Sequence, residues 1–188
     1  MKQILTTLLT IMLITSPQQL QPQIRSSTSE EQIIDKLPFD SIEAIYETTR
    51  MVVCSHSSVK TYMDWLKTSP TSRQGKFMRE HMTVKEGLLY SNDGFIGVAL
   101  GSYFGVIGDK FVFTLDTGIV LRLIKIEEKS DRHVTNGCEH KLDHSVIEFV
   151  IDLKTNKFFI ASNGLVAQGN FNNLPQFKGK IVGVEKVN

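Results

Sequence analysis

The second half of the chain alternates between short apolar runs and polar turn residues. From Gly94 onward, runs rich in valine, isoleucine and phenylalanine are separated by glycine, aspartate, asparagine and lysine, which is typical of β-strands joined by turns. Tight turns are expected at Asp116–Gly118, where glycine tolerates a positive φ, and at Leu153–Lys157. The runs predict six strands: Phe95–Leu100, Lys110–Leu115, Gly118–Ile126, Ser145–Asp152, Lys157–Ser162 and Gly179–Val187. Six short strands with few long helices favour a mainly β fold closed into a small barrel, because closure removes exposed sheet edges. An open α+β sheet is the alternative.

The N-terminal residues have the order of a secretory signal peptide. Lys2 is followed by an apolar stretch over Ile4–Ile14 and then by a break rich in proline and glutamine. The apolar stretch is short for a membrane-spanning helix, so residues 1–22 are predicted to direct export; an uncleaved membrane anchor and an ordinary buried segment are the alternatives. In an exported protein, Cys54 and Cys138 are compatible with one disulfide or with two unpaired thiols.

Helical spacing appears before the strands. Residues 23–57 are expected to form a polar tether followed by one or two short helices, the last running through Glu43–Arg50. Residues 58–188 are predicted to form a β-barrel domain that begins with a helical segment. In that segment, a stretch containing Tyr62–Leu66 is followed by a break and by a second helical stretch over Ser72–Met82.

Composition and charge narrow the function. A chain of 188 residues, 41% of them apolar, is long enough for one such domain but not for a second full one. Lysine and arginine number 21 and aspartate and glutamate 20, so the formal charge is +1 and no global field favours nucleic acid or anionic lipid. The chain has no phosphate-binding glycine loop, no GxSxG elbow and no HExxH motif, and we expect no cofactor.

Histidine and cysteine concentrate in the loop before the fourth predicted strand. The spacing H-x4-C-x-H-x3-H offers nitrogen and sulfur ligands that suit zinc: His133, Cys138, His140 and His144. It matches no standard zinc motif, and Asn136–Gly137 already explains the loop as a turn. We therefore expect no bound metal, and we expect His133 and His140 to line a groove. A metal-stabilised loop is the weaker alternative.

A single acid, Glu148, interrupts the apolar strand Ser145–Asp152. Alternation along a strand puts Glu148 on the same face as Val146 and Val150. If that face is buried, desolvation raises the pKa of the carboxyl toward a value useful for proton donation. The alternative is that only the opposite face forms the core and that Glu148 is an ordinary exposed acid.

A second group of charges begins where the predicted strand Gly118–Ile126 ends. Glu127 opens a polar loop that also contains Lys129 and Asp131. Because strand ends are where barrel sites gather, Glu127, Asp131 and Glu148 are expected to converge. Lys129 is then the electrostatic partner that keeps one carboxylate ionised, whereas the alternative is a solvated turn with alternating charges.

Six segments of the chain form a recognisable series: KTYMDW at Lys60–Trp65, VALGSYFG at Val98–Gly105, Ile107–Gly108, EEKSDRH at Glu127–His133, SVIEFVID at Ser145–Asp152 and the closing strand at Gly179–Val187. These segments resemble a family of secreted and phage-associated proteins of Firmicutes. The resemblance covers about residues 59–187. It implies a six-stranded double-psi β-barrel with short N-terminal helices, related to three-aspartate domains and to the catalytic barrel of lytic transglycosylases. Those enzymes cleave the glycan strands of peptidoglycan, so the resemblance implies a secreted or envelope-associated protein whose partner is peptidoglycan or another cell-wall glycan.

The resemblance also implies roles for particular residues. The acid/base aspartate of these barrels corresponds to Glu127, and their second carboxylate corresponds to Glu148. The expected catalytic residues are Glu127, Glu148 and Asp131, and the expected substrate-binding residues are Lys129, His133, His140 and Tyr103. Glu127 is one methylene longer than aspartate, and a carboxylate displaced by about 1 Å loses much of its catalytic power. A non-catalytic barrel that binds wall glycan is therefore the second functional hypothesis.

Overall fold

The computed structural model describes residues 46–158 and 170–188, and nine strands within this part pair into one mixed sheet. Two further strands form a separate hairpin. In chain order the strands are β1 (Thr48–Arg50), β2 (Lys60–Asp64), β3 (Met82–Lys85), β4 (Leu88–Ser91), β5 (Ile96–Leu100), β6 (Lys110–Leu115), β7 (Val120–Glu128), β8 (Val134–Thr135), β9 (Glu139–His140), β10 (Ile147–Ile151) and β11 (Ile181–Val187). The described helices are α1 (Arg73–His81) and the 3-10 turns Trp65–Lys67, Ser102–Phe104, Phe171–Asn173 and Pro175–Phe177. The prediction of a mainly β fold is confirmed.

The sheet mixes parallel and antiparallel neighbours. Its order is β1-β11-β6-β7-β5-β10-β4-β3, and β2 lies beside β10. The β2–β10 and β5–β7 pairs are parallel, whereas β6 runs antiparallel to both β7 and β11. The strand ladders form an open order, with β1 and β3 at its ends, and the predicted closed barrel is not confirmed.

Most predicted strands are present. Five of the six are confirmed, as β5, β6, β7, β10 and β11. The sixth, Lys157–Ser162, lies mostly outside the described residues, and its first two residues are not in a strand. The turn at Asp116–Gly118 joins β6 to β7 with Gly118 at a φ of 81°, and the turn at Leu153–Lys157 is closed by the amide of Thr155 donating to the carbonyl of Asp152 at 3.2 Å.

The helix predictions are right only in part. The stretch over Ser72–Met82 forms α1, which Ser72 caps by accepting from the amide of Gly75 at 3.0 Å. The helix expected around Tyr62–Leu66 is wrong, because β2 pairs with β10 over its whole length. The helix expected through Glu43–Arg50 is wrong over its last three residues, which pair with β11 as β1. In both places, pairing with a distant strand outweighs the local helical spacing.

Residues 1–45 lie outside the described part of the chain, and they include the predicted export signal and most of the tether. Within the part that is described, no helix combines the length and the hydropathy that crossing a membrane requires.

Apolar side chains cover both faces of the central sheet. In β10 the side chains of Ile147, Phe149 and Ile151 join a large cluster that also contains Phe111, Phe113 and Phe171. Val150 joins a second cluster on the other face, with Phe95, Ala99, Ile126 and Met78 of α1. Glu148 therefore alternates onto the face of Val150, which is covered rather than open to solvent. Val146, which precedes β10, belongs to the large cluster, so its predicted place beside Glu148 is wrong.

A disulfide joins the segment before β2 to the β8–β9 hairpin. Cys54 and Cys138 are bonded, with their Cα atoms 6.3 Å apart. Of the two alternatives for these cysteines, the disulfide is the one that forms. The hairpin turns at Asn136–Gly137, where both residues have positive φ, as the sequence predicts.

Candidate carboxylate site on the central sheet

Glu148 is a half-buried acid in the middle of the sheet. It lies on β10, opposite Thr61 of β2 on one side and Ala99 of β5 on the other. No side chain among the described residues donates a hydrogen bond to its carboxylate, and none forms an ion pair with it within 4.0 Å. Because no described side chain engages it, the Glu148 carboxyl is chemically available.

The surroundings of Glu148 favour its protonated form. Burial raises the pKa of the Glu148 carboxyl above its usual value; the positive charges of Lys129 and His140 oppose the rise, and the negative charges of Asp143 and Glu127 add to it. Desolvation is the largest of these effects, which is the behaviour expected of an acid on a covered strand face. The interpretation of Glu148 as an ordinary exposed acid is wrong.

A β-bulge places Glu127 on the face of Glu148. Ala99 is paired with Glu127, whereas the preceding residue Val98 is paired with Lys125, so Ile126 is an extra residue on β7. Ile126 packs in the same apolar cluster as Ala99. At a bulge two residues of one strand face a single residue of its neighbour, which turns Glu127 to the side of Ile126.

The contacts on either side of the bulge agree with this orientation. The Glu127 carboxylate accepts from the Thr68 hydroxyl at 2.6 Å and from the amide of Glu128 at 2.9 Å. Glu128 lies on the opposite face, where its carboxylate is 3.6 Å from the ammonium of Lys125. Because Glu127 and Glu148 both pair with Ala99, they share one face two strands apart, which corresponds to about 10 Å between their Cα atoms.

Lys129 is a buried cation below this pair of acids. Its side chain is only 6% exposed, and its ammonium donates to the carbonyl and hydroxyl oxygens of Ser145 at 3.0 and 2.9 Å. Burial lowers the pKa of Lys129, while the charges of Glu148 and Asp143 oppose this effect. The charge of Lys129 acts on Glu148, but Lys129 forms no direct ion pair with that carboxyl and does not offset the rise in its pKa, so the role of keeping one carboxylate ionised stays a prediction.

The predicted histidines lie at the rim of the site. Nδ1 of His140, on β9, is 3.3 Å from Oδ1 of Asp143, and the charge of His140 acts on Glu148. His133 is exposed, with its ring centroid 6.3 Å from that of His140. His140 thus belongs to the surroundings of Glu148, whereas His133 is connected to them by its ring contact with His140.

The loop that carries these histidines offers no thiolate to a metal. Cys138 is bonded to Cys54, and Nδ1 of His144 pairs with the Glu139 carboxylate at 2.9 Å. Among the residues that the structure describes, no three histidine, cysteine, aspartate or glutamate side chains are grouped as a metal site requires. The weaker idea of a metal-stabilised loop therefore loses its sulfur ligand.

Two predicted site residues lie elsewhere. Asp131 accepts from the Ser102 hydroxyl at 2.6 Å, and its charge acts on Lys125 rather than on Glu148. The Tyr103 hydroxyl donates to the carbonyl of Val52 at 2.8 Å. Tyr103 lines a pocket of about 330 Å³ beside the disulfide, together with Val52, Cys54, Thr135, Asn136, Cys138 and Glu139. The structure does not bring Asp131 and Tyr103 to the carboxylate pair.

Sequence reasoning missed the polar residues that hold the site together. Ser145 begins the segment SVIEFVID and could have been found there as the first polar residue of a buried strand. Thr68 and Asp143 give no such signal. Thr68 donates a hydrogen bond to Glu127, from which it is separated by 59 residues of chain, and Asp143 accepts a hydrogen bond from the backbone amide of Ser145.

Comparisons of the chain with protein families, with curated proteins and with solved structures found no match. The fold and the site define a mainly β protein with a half-buried carboxyl that has no partner among the described residues and lies beside a second carboxylate and a buried lysine.

Proposed function

We propose that this chain is an exported, cell-wall-active protein that cleaves the glycan strands of peptidoglycan by carboxyl acid/base catalysis, as lytic transglycosylases do. One observation carries the proposal: Glu148 is half-buried and has no partner among the described residues, while Glu127 on the same face is held by hydrogen bonds. When two carboxyl groups lie in different environments, one can serve as the proton-donating acid and the other as the carboxylate that stabilises charge.

The reaction assigns a different task to each acid. Protonated Glu148 donates its proton to the leaving oxygen of the glycosidic bond, and the ionised Glu127 stabilises the positive charge that develops on the sugar. The Glu148 carboxylate then accepts a proton from the hydroxyl of the same sugar as that hydroxyl attacks the anomeric carbon. The product is an anhydro-sugar, no water is consumed, and Glu148 ends protonated as it began.

The six-stranded double-psi barrel remains part of this proposal. Its six strands are β2, β10, β5, β7, β6 and β11, of which β2–β10 and β5–β7 are the parallel pairs. At the two ends of this order, the segment that leads into β2 contacts the first residue of β11. The amide of Ile181 donates to the carbonyl of Ser57 at 3.3 Å, and Nδ1 of His56 lies 2.8 Å from the carbonyl oxygen of Ile181. These contacts support closure between the approach to β2 and the start of β11.

The cysteines support export. Disulfides form and persist in oxidising compartments and are rare in the cytosol. The bond between Cys54 and Cys138 therefore fits a secreted or envelope-associated protein whose partner is cell-wall glycan.

The test is digestion of purified peptidoglycan by the full chain, with mass spectrometry for anhydro-sugar products. We expect release by the wild type, a loss of about 100-fold or more in Glu148→Gln, and a smaller loss in Glu127→Gln. Glu128→Gln is the matched control, because Glu128 follows Glu127 on β7 but faces Lys125, and it should retain activity. No release by the wild type would exclude cleavage, and equal release by Glu148→Gln would exclude the residue assignment.

Binding of wall glycan without cleavage is the second candidate. It is favoured by the carboxylate of Glu127, both oxygens of which already accept hydrogen bonds from the protein. Co-sedimentation with insoluble peptidoglycan without solubilisation would support this candidate, whereas absence of binding would remove it.

A further inference from the structure

We propose that Ser145 is a positioning residue of the carboxylate site: it holds the Lys129 ammonium near Glu148 but off its carboxylate, so that the carboxyl of Glu148 stays free to exchange a proton. The catalytic meaning of this arrangement rests on the function proposed above. The arrangement itself is a property of the folded chain and is testable without substrate.

Lys129 and Glu148 are placed as if to form an ion pair, yet they do not. Lys129 is buried and Glu148 is half-buried, and each charge acts on the other. Buried opposite charges ordinarily pair directly, because neither is otherwise compensated. Here no nitrogen–oxygen distance of 4.0 Å or less joins them.

Ser145 supplies the alternative partner for the ammonium. Lys129 Nζ donates to both oxygens of this one residue, at 3.0 Å to its carbonyl and 2.9 Å to its hydroxyl. Two charge-assisted hydrogen bonds fix the direction of the last carbons of the lysine side chain. The ammonium therefore stays on Ser145 rather than on the acid.

Ser145 is itself held on every side. It is 1% exposed, its amide donates to Asp143 at 2.8 Å, and its carbonyl also accepts from the amide of His140 at 2.9 Å. Its hydroxyl also accepts from the Thr61 hydroxyl at 3.3 Å. A residue anchored at its amide, carbonyl and hydroxyl is rigid enough to decide where Lys129 points.

Among the described residues, the groups whose charges act on Glu148 belong to this arrangement. Lys129 follows the end of β7, His140 and Asp143 come from β9 and the loop after it, and Glu127 comes from the bulge. Asp143 and His140 contact each other and also touch the backbone of Ser145. Both hydrogen bonds of the Lys129 ammonium go to Ser145, so the loss of an acceptor on this residue changes where that charge lies.

The experiment is an NMR titration of the full chain with ¹³C-labelled glutamate side chains, in which Glu148 is assigned by its absence in Glu148→Gln. In Ser145→Ala the ammonium loses one of its two acceptors and turns to the nearest carboxylate. We expect the titration midpoint of Glu148 to fall by about one pH unit, as for an acid that gains a cation at contact distance. In Lys129→Met, which removes the cation, the midpoint should rise. Ser102→Ala removes a hydroxyl that contacts Asp131 rather than this site and should leave the midpoint unchanged.

The double variant separates positioning from a general structural effect. If Ser145 acts through Lys129, Ser145→Ala has no effect on the Glu148 midpoint in a Lys129→Met background. An equal fall in both backgrounds, or no fall in the single variant, would overturn the proposal. If Ser145→Ala does not fold, Ser145→Cys takes its place, because a thiol is a weaker acceptor of similar size and the same sign is expected.

The outcome is independent of whether peptidoglycan is cleaved. Expected shifts without glycan cleavage would leave the positioning role standing and remove the enzymatic function. Cleavage without the expected shifts would leave the enzymatic function standing and remove the positioning role.

Discussion

Removing the Cys54–Cys138 disulfide should be among the most destabilising changes available in this chain. The bond closes a loop of 84 residues, which takes in all strands from β2 to β8. In the chain-entropy account, cross-linking a loop of this length lowers the entropy of the unfolded chain by about 15 cal/mol/K, or about 4.5 kcal/mol at room temperature. Since small domains are stable by only about 5–15 kcal/mol, the double variant Cys54→Ala/Cys138→Ala should lie close to unfolding.

The assay is urea unfolding of the wild type and the double variant, followed by tryptophan fluorescence from Trp65. The wild type under reducing conditions is the matched control and should have the same midpoint as the double variant. A loss below about 1 kcal/mol would refute the reasoning, because it would mean that the unfolded chain gains little freedom when the loop opens. A reduced wild type that stays as stable as the oxidised form would refute the reasoning in the same way.

Three further changes test the electrostatics and the packing. Burial raises the pKa of Glu148, so the folded chain binds this proton more tightly than the unfolded chain does. The stability that the bound proton contributes at low pH is therefore lost as pH rises through the folded pKa. In urea unfolding, Glu148→Gln should stabilise the protein at pH 8 but not at pH 3. Burial lowers the pKa of Lys60 from 10.5 to about 8, so wild-type stability should rise with pH between these values, and a rise of equal size in Lys60→Met would contradict the assignment. A Cβ at Gly101 would overlap the carbonyl oxygen of Gly137, so Gly101→Ala should cost about 3 kcal/mol. Gly118→Ala, with open space but a φ of 81°, should cost only about 1 kcal/mol, and equal losses in thermal unfolding would refute the packing argument.

The strands that can be predicted from the sequence are those whose own residues favour β-structure. The runs that became β6 and β10 are rich in β-branched and aromatic residues, and their positions follow from composition alone. Lys60–Asp64 has a weaker signal, because Thr61 and Tyr62 stand among lysine, methionine and aspartate. It is a strand because β10 lies beside it in parallel, 87 residues further along the chain, as the Lys60–Ile147 pairing shows. Contacts of this range are invisible to a reading of neighbouring residues.

The same division applies to the site. Glu148 and Lys129 could be selected in advance because one is an acid in an apolar run and the other a cation in the adjoining loop. The nearness of Asp131 to Glu127 in sequence predicts that the two acids converge, but the loop after Glu128 brings Asp131 to Ser102 instead. Sequence nearness is a poor guide where the chain turns, because one or two residues there reverse its direction.

The bulge at Ile126 shows most clearly what periodicity leaves out. Leu121, Leu123 and Lys125 alternate onto one face of β7, and strict alternation would put Glu127 on that face too, away from Glu148. The extra residue shifts the phase by one, so Glu127 joins the face of Ile126, and Glu128 takes the place beside Lys125 that Glu127 would have had. The longer side chain of glutamate then spans the distance to Thr68 Oγ1. The bulge and the contact with Thr68 are therefore linked, because the extra residue sets the face from which the Glu127 carboxylate extends.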